Sequence, residues 1–429
     1  MKRDLRGEIA GCLRVAGSVD EHLRGLRKFR PRDWEKSLNW LHLSGIALMF
    51  WDRLQKLGAE DAIPPKLGEG LAANLADHRL RVAAMMEEFD SLNRQFDRAG
   101  IEYAVWKGFA LFPHYCPDAC LRPTYDYDYL ISGDTHTRAQ ELIQAAGYVR
   151  KPDHRAEHHV TFARPNLRSR PSPSSSELYA ADLPRKVELH RGLWDRDAFL
   201  IPLRVPERIL ERKLRRTWQN LSFCALSEDD ALVFQALHTF QHILHNWCRL
   251  GWLWEIAYFL EHRSADTSFW SRFCALLEGN EPLVEVVGLV MLLAAGLFHA
   301  PFPAPIKGRL LGAMRSQVPL WVDHYGLPSA LNNFSENKYA LFLYREFLPD
   351  KAAWRAIRGS RLFPLHRPNR IAGAAAPSTS ASLPVSWNQG WYVLQRLLYH
   401  SVTGARYAWE SARWERIKTR AGQPRLSSI

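Results

Sequence analysis

Residues 122–132 read RPTYDYDYLIS, with Asp126 and Asp128 one residue apart among tyrosines and aliphatic side chains. Side chains alternate between the faces of a strand, so Asp126 and Asp128 point one way while Tyr127, Tyr129 and Ile131 take the other. Two carboxylates on one face repel, which raises one pKa or costs stability unless a cation lies between them. Mg²⁺ is commonly held by one or two carboxylates together with waters and substrate phosphates, and a D-x-D pair at a strand end suits that need. Read in isolation, the pair also fits an edge strand with solvated aspartates.

The neighbouring segments weigh against the edge strand. Upstream, IEYAVWKGFALF predicts a strand from Ile101 to Trp106, then Lys107 and Gly108, then an apolar segment of helical character. Gly108 permits a tight turn and a close approach of phosphate to free amides at a helix start. Downstream, Asp134 or Thr135 and then Gly147 bracket a helix, followed by the strand-like HHVTFA and KVELH. The second of these carries a third carboxylate, Glu188.

The order is strand, Lys-Gly turn, helix, D-x-D strand, helix, strand, and a strand bearing Glu188. With these residues it resembles the nucleotidyltransferase superfamily whose best-known member is DNA polymerase β. More narrowly it is similar to a bacterial branch of uncharacterised nucleotidyltransferases with an LKG turn, a Y-P-x-P segment, R-x-x-x-D-x-D and a late D/E-L-H-W. The corresponding residues are Val105 to Gly108, Tyr115 to Asp118, Arg122 to Asp128, and Glu188-Leu189-His190. Aminoglycoside and lincosamide nucleotidyltransferases share a comparable turn and D-x-D strand. The motif resemblance spans roughly residues 101–194 and continues more loosely through His262.

The resemblance implies an α+β fold, a polymerase-β-like core of mixed sheet and flanking helices, with helical domains on either side. It implies two Mg²⁺ or Mn²⁺ ions on Asp126, Asp128 and Glu188, with a nucleoside monophosphate passing from a nucleoside triphosphate, ATP among them, to a hydroxyl or phosphate. Lys107, Gly108 and Arg122 would meet the phosphates, and Tyr125, His190, His238 and His242 would face substrate. Three departures from the family pattern matter. Tyr125 replaces the small residue usual before the first aspartate, the third carboxylate is Glu, and Pro113 interrupts the expected phosphate-binding helix. A catalytically degenerate nucleotide- or partner-binding scaffold is the alternative they raise.

A chain of 429 residues, 47% hydrophobic, has room for two or three domains with proper cores. The opening MKRDLRGEIAGCLRVAG is broken by charges and lacks the order of a signal peptide. The longest apolar run, from Val286 to Ala300, is short for a membrane span and reads as a core helix, so no membrane partner is expected. Six cysteines without a C-x-x-C pair suggest reduced thiols and a cytoplasmic protein. Cys116, Cys120 and His114 lack the second ligand pair of a zinc site. The net charge of +12 favours an anionic partner, but the basic runs carry acidic residues at helical spacing, so nucleic acid is allowed rather than favoured. A small molecule or modified peptide is the preferred acceptor.

The expected organisation is a helical domain over 1–98, a catalytic domain over 99–201, a helical acceptor domain over 202–370, a flexible linker over 371–386 and an amphipathic helix over 387–429. The Pro- and Ser-rich segment 164–186 reads as a long mobile loop. Ser227 with Asp230 reads as a capping-box-like helix start, placing His238, His242 and His245 on one stripe. That stripe lacks H-E-x-x-H and any carboxylate, so it reads as packing beside the active site more than as a metal site. The C-terminal helix has an apolar face for docking on the body of the protein or on a second copy, leaving a homodimer open.

Overall fold

The computed structural model describes residues 4–151, 159–164, 175–195, 199–348, 350–363 and 385–422. Its centre is one mixed seven-stranded sheet: β1 (Tyr103–Val105), β2 (Asp126–Ile131), β3 (Val149–Arg150), β4 (His159–Ala163), β5 (Lys186–His190), β6 (Leu214–Trp218) and β7 (Leu221–Ala225), in the order β3-β4-β5-β2-β1-β7-β6. β2 runs antiparallel to β1 and parallel to β5. With helices before and after it, the fold is α+β.

The alternation of β2 decides the two layers around it. Tyr127 and Tyr129 turn to the rear face, where the long Pro65–Arg98 helix crosses the sheet. There Phe96 meets Tyr129 at 5.1 Å between ring centroids, and Phe89 meets Phe109 at 5.0 Å and Phe223 at 5.1 Å. Truncating a buried phenylalanine such as Phe89 removes about 3–5 kcal/mol, so this aromatic layer fixes the helix on the sheet. The same helix holds the chain beyond the sheet. Arg81, fully buried, donates to the carbonyls of Thr124, Ala180 and Leu183 at 3.2, 3.2 and 2.7 Å.

Two expectations need correction here. The stretch after Pro202 is not helical throughout, because residues 214–225 form the β6–β7 hairpin, and β7 adds to the sheet parallel to β1. Leu221, Phe223 and Ala225 are buried in alternation, a period of two that the neighbouring Arg215 and Arg216 obscure in the sequence. The mobile loop expected over 164–186 is also not uniform. Its residues 165–174 lie outside the described residues, while Ser175–Tyr179 forms a 3₁₀ turn whose Tyr179 is buried and shares a 3.0 Å hydrogen bond with His42 Nδ1.

Beyond the sheet, Ser227 Oγ accepts from the Asp230 amide at 3.2 Å and starts the Glu228–Leu244 helix, followed by Leu250–Arg263. The Glu281–Phe298 helix is long and apolar enough to cross a membrane by length and composition, yet 67% of it is buried inside the protein, as befits a core helix. The Val385–Gly422 helix docks on the body through Trp414, which meets Tyr325 at 5.5 Å, and through Tyr407, which meets Phe342 at 4.8 Å. The spacer AGAAAPSTSASLP preceding it lies outside the described residues.

Candidate active site

After β1 the chain passes Trp106 and Lys107 and turns at Gly108, whose φ of +58° lies in the left-handed region that glycine occupies without steric cost. The helix expected there to receive phosphates is absent. Gly108–Leu111 is one 3₁₀ turn, and Pro113 cannot donate to extend it. The carbonyls of Ala110 and Phe112 instead accept from Arg216 of β6. Pro113 thus follows a turn that already ends rather than breaking a helix. Lys107 lies with its Nζ 4.1 Å from the Trp106 ring centroid and donates to Asp128 Oδ1 at 3.3 Å.

The parallel β2–β5 ladder pairs Asp126 with Lys186, Asp128 with Glu188 and Leu130 with His190, so the carboxylates and His190 share the face opposite the tyrosines. His190 Nε2 is 3.1 Å from Asp128 Oδ1 and 3.7 Å from Glu188 Oε2. Ligand atoms of Asp128, Glu188 and His190 all fall within 4.8 Å of one another, the metal-competent group among the described residues. Asp126 is outside that group but adjoins it, since burial and then the Asp128 charge raise its carboxyl. Neither Cys116, Cys120 and His114 nor His238, His242 and His245 form such a group among the described residues.

The electrostatics separate the carboxylates. Burial pushes the Asp128 carboxyl up, but Lys107 and His190 outweigh it and hold it at about 2. Burial, then the charges of Asp128 and Asp126, push Glu188 up to about 8. Asp128 is 1% exposed, and its Oδ2 has no hydrogen-bond partner. A buried carboxylate oxygen left unpaired costs free energy that a bound cation recovers, and the oxygen-rich donor set suits a hard divalent ion.

The remaining predicted residues have other partners. Arg122 and Glu255 form a buried ion pair at 2.8 Å, tying the loop before β2 to the Leu250–Arg263 helix. The Tyr125 ring lies between guanidiniums, 5.1 Å from Arg249 and 5.7 Å from Arg81, rather than over the carboxylates. His238 and His242 stand 4.6 Å apart, and burial lowers both, His242 to about 3, so both rings are neutral. Trp106 links them to the carboxylates, 4.9 Å from His190 and 6.2 Å from His238. Trp106 was expected only as a strand end in the Lys-Gly turn motif, and Trp247, Arg249 and Trp252 were not among the expected site residues, although the cluster NWCRLGW right after the histidine stripe is their visible signal.

A mixed sheet with carboxylates paired across adjacent strands, beside a Lys-Gly turn, is the architecture of an enzyme that transfers nucleotidyl groups. A family model described as "Uncharacterised nucleotidyltransferase" matches residues 30–299, and the chain belongs to that nucleotidyltransferase family. No curated protein matches the chain. The matched span runs from just before the Pro31–Leu43 helix to just past the Glu281–Phe298 helix, so it takes in the rear helix, the sheet and the histidine stripe. Enzymes of this class take a nucleoside triphosphate as substrate.

Proposed function

We propose that the protein transfers a nucleoside monophosphate from a nucleoside triphosphate to a hydroxyl or phosphate of an acceptor, with a small molecule or modified peptide favoured over RNA. The observation that carries this reading is the in-register pairing of Asp128 with Glu188, with His190 bonded to Asp128. Asp126, Asp128 and Glu188 would hold the metal, Mg²⁺ or Mn²⁺, with two ions as the working count. Bound there, the ions would neutralise charge on the transferring phosphoryl group and the leaving pyrophosphate.

The acceptor oxygen bonds to the α-phosphorus, the bond to the bridging oxygen breaks, and pyrophosphate leaves with that electron pair. Burial and the neighbouring aspartates push Glu188 up, and a cation bound beside it would favour its ionised form, which would take the acceptor's proton. Asp128 holds His190 in one orientation, and Lys107 supplies positive charge beside Asp128. The six thiols are free, which supports a cytoplasmic setting. Titrating the protein with Mn²⁺ in the presence of each nucleoside triphosphate tests the reading. Saturable Mn²⁺ binding that tightens with nucleotide supports it, and nucleotide binding indifferent to the metal contradicts it.

A further inference from the structure

Beside the carboxylates, the Glu228–Leu244 and Leu250–Arg263 helices and the turn between them build a wall of rings. Trp252 contacts His242 at 4.4 Å, His238 at 4.5 Å and Trp247 at 5.7 Å, the two indoles crossing at 88°. His242, Trp247, Arg249 and Trp252 are each partly exposed. Perpendicular indoles form a corner in which a planar ring stacks on one and meets the edge or face of the other. His238 is buried, yet its Nδ1 has no hydrogen-bond partner, and a neutral imidazole there offers a donor or acceptor to a ligand.

Cations adjoin both this corner and the carboxylates. The Arg249 guanidinium is 5.6 Å from the Trp247 ring, 5.7 Å from the Trp252 ring and 5.1 Å from Tyr125, the residue before Asp126. Lys107 already contacts Asp128. The turn bearing Arg249 is pinned on both sides, with the Cys248 amide donating to Asn333 at 3.0 Å and the Gly251 amide to Ser44 at 2.9 Å. A Cβ at Gly251 would approach the Gly45 carbonyl oxygen to 3.0 Å, so glycine allows the close seating. Carboxylates, cations and a ring corner thus lie side by side, the three kinds of group that the metal, phosphates and base of a nucleoside triphosphate require.

We infer that the nucleoside triphosphate lies with its base in the Trp247–Trp252 corner beside His242 and its phosphates toward Arg249 and Lys107, so that this wall, not the turn after Gly108, selects the nucleotide. The inference rests on the nucleotidyl-transfer reading and adds the residues that grip the donor. Stacking on one aromatic side chain accounts for roughly five- to a hundredfold in affinity.

The test is calorimetric titration of the full chain with Mg²⁺ and the α,β-methylene analogues of the four nucleoside triphosphates, alongside inorganic tripolyphosphate, which has no base. Trp252→Ala should weaken analogue binding about five- to a hundredfold and leave tripolyphosphate unchanged. Arg249→Met should weaken both about tenfold. Trp247→Ala decides the matter should Trp252→Ala fail to fold. Tryptophan variants that bind the analogues as tightly as the wild type overturn the inference and leave nucleotidyl transfer standing, with the wall then free for the acceptor. A wild-type protein that binds neither ligand overturns the nucleotidyl-transfer reading itself and the inference with it.

Discussion

Asp128 and Glu188 face each other as partners in the parallel β2–β5 ladder, and His190 reaches both, at 3.1 and 3.7 Å. The face that bears them is set by the opposite one, where Tyr127 and Tyr129 are locked under the Pro65–Arg98 helix. A slip of one residue in β2 would bury the aspartates against Phe89 and Phe96. The rear aromatic layer therefore enforces the register of the carboxylate face.

His190 should matter to the metal as well as to Asp128. In the His190→Phe variant, Mn²⁺ affinity measured by electron paramagnetic resonance should fall about 10–100-fold, the usual cost of losing a residue that orients a carboxylate ligand. Unchanged affinity would remove His190 from the site.

The buried histidines around Tyr179 predict a pH dependence of stability. Burial lowers both His42 and His78 to about 4, and His78 Nδ1 lies 2.8 Å from the Cys120 carbonyl oxygen. A histidine in the unfolded chain titrates near 6.5, so the unfolded state binds more protons between about pH 6.5 and 4. Stability is full above that window and falls as pH drops through it, by at most about 1.4 kcal/mol per pH unit for each histidine. Chemical denaturation across this range should show the slope, and His42→Phe should reduce it by one proton's worth. An unchanged slope in that variant would contradict the assignment.

The Arg122–Glu255 pair links the loop before β2 to the Leu250–Arg263 helix that carries Trp252. Breaking a buried pair from one side leaves an uncompensated charge at about 3–5 kcal/mol, whereas replacing both partners with apolar groups is often close to neutral. Glu255→Leu should therefore destabilise more than the double variant Arg122→Met, Glu255→Leu in urea unfolding. Additive losses would show the two residues to be energetically independent.

The legible parts of the sequence were those governed by strict local periods. Asp126 and Asp128 declared their shared face because alternation along one strand needs no knowledge of partners, and Ser227 declared a helix start through its own cap, whereas Glu188 joins that face only through the β2–β5 register. The β6–β7 hairpin was hidden because charged Arg215 and Arg216 overlay its alternation. The helix expected after Gly108 gave way to a turn, since Arg216, more than a hundred residues away, takes the carbonyls there. The wall of Trp247, Arg249 and Trp252 meets His238 and His242 through contacts between two helices and their connecting turn, which no single local period encodes.

On the proposed function, the β2 and β5 carboxylates support metal-dependent nucleotidyl transfer. Its most direct test is incubation with Mg²⁺ or Mn²⁺ and each α-labelled nucleoside triphosphate, following pyrophosphate release and transfer of label, with the Asp126→Ala, Asp128→Ala variant run in parallel. Metal-dependent release that falls about a thousandfold or more in the variant is the predicted result. Release that proceeds equally in both proteins, or without metal, would contradict it.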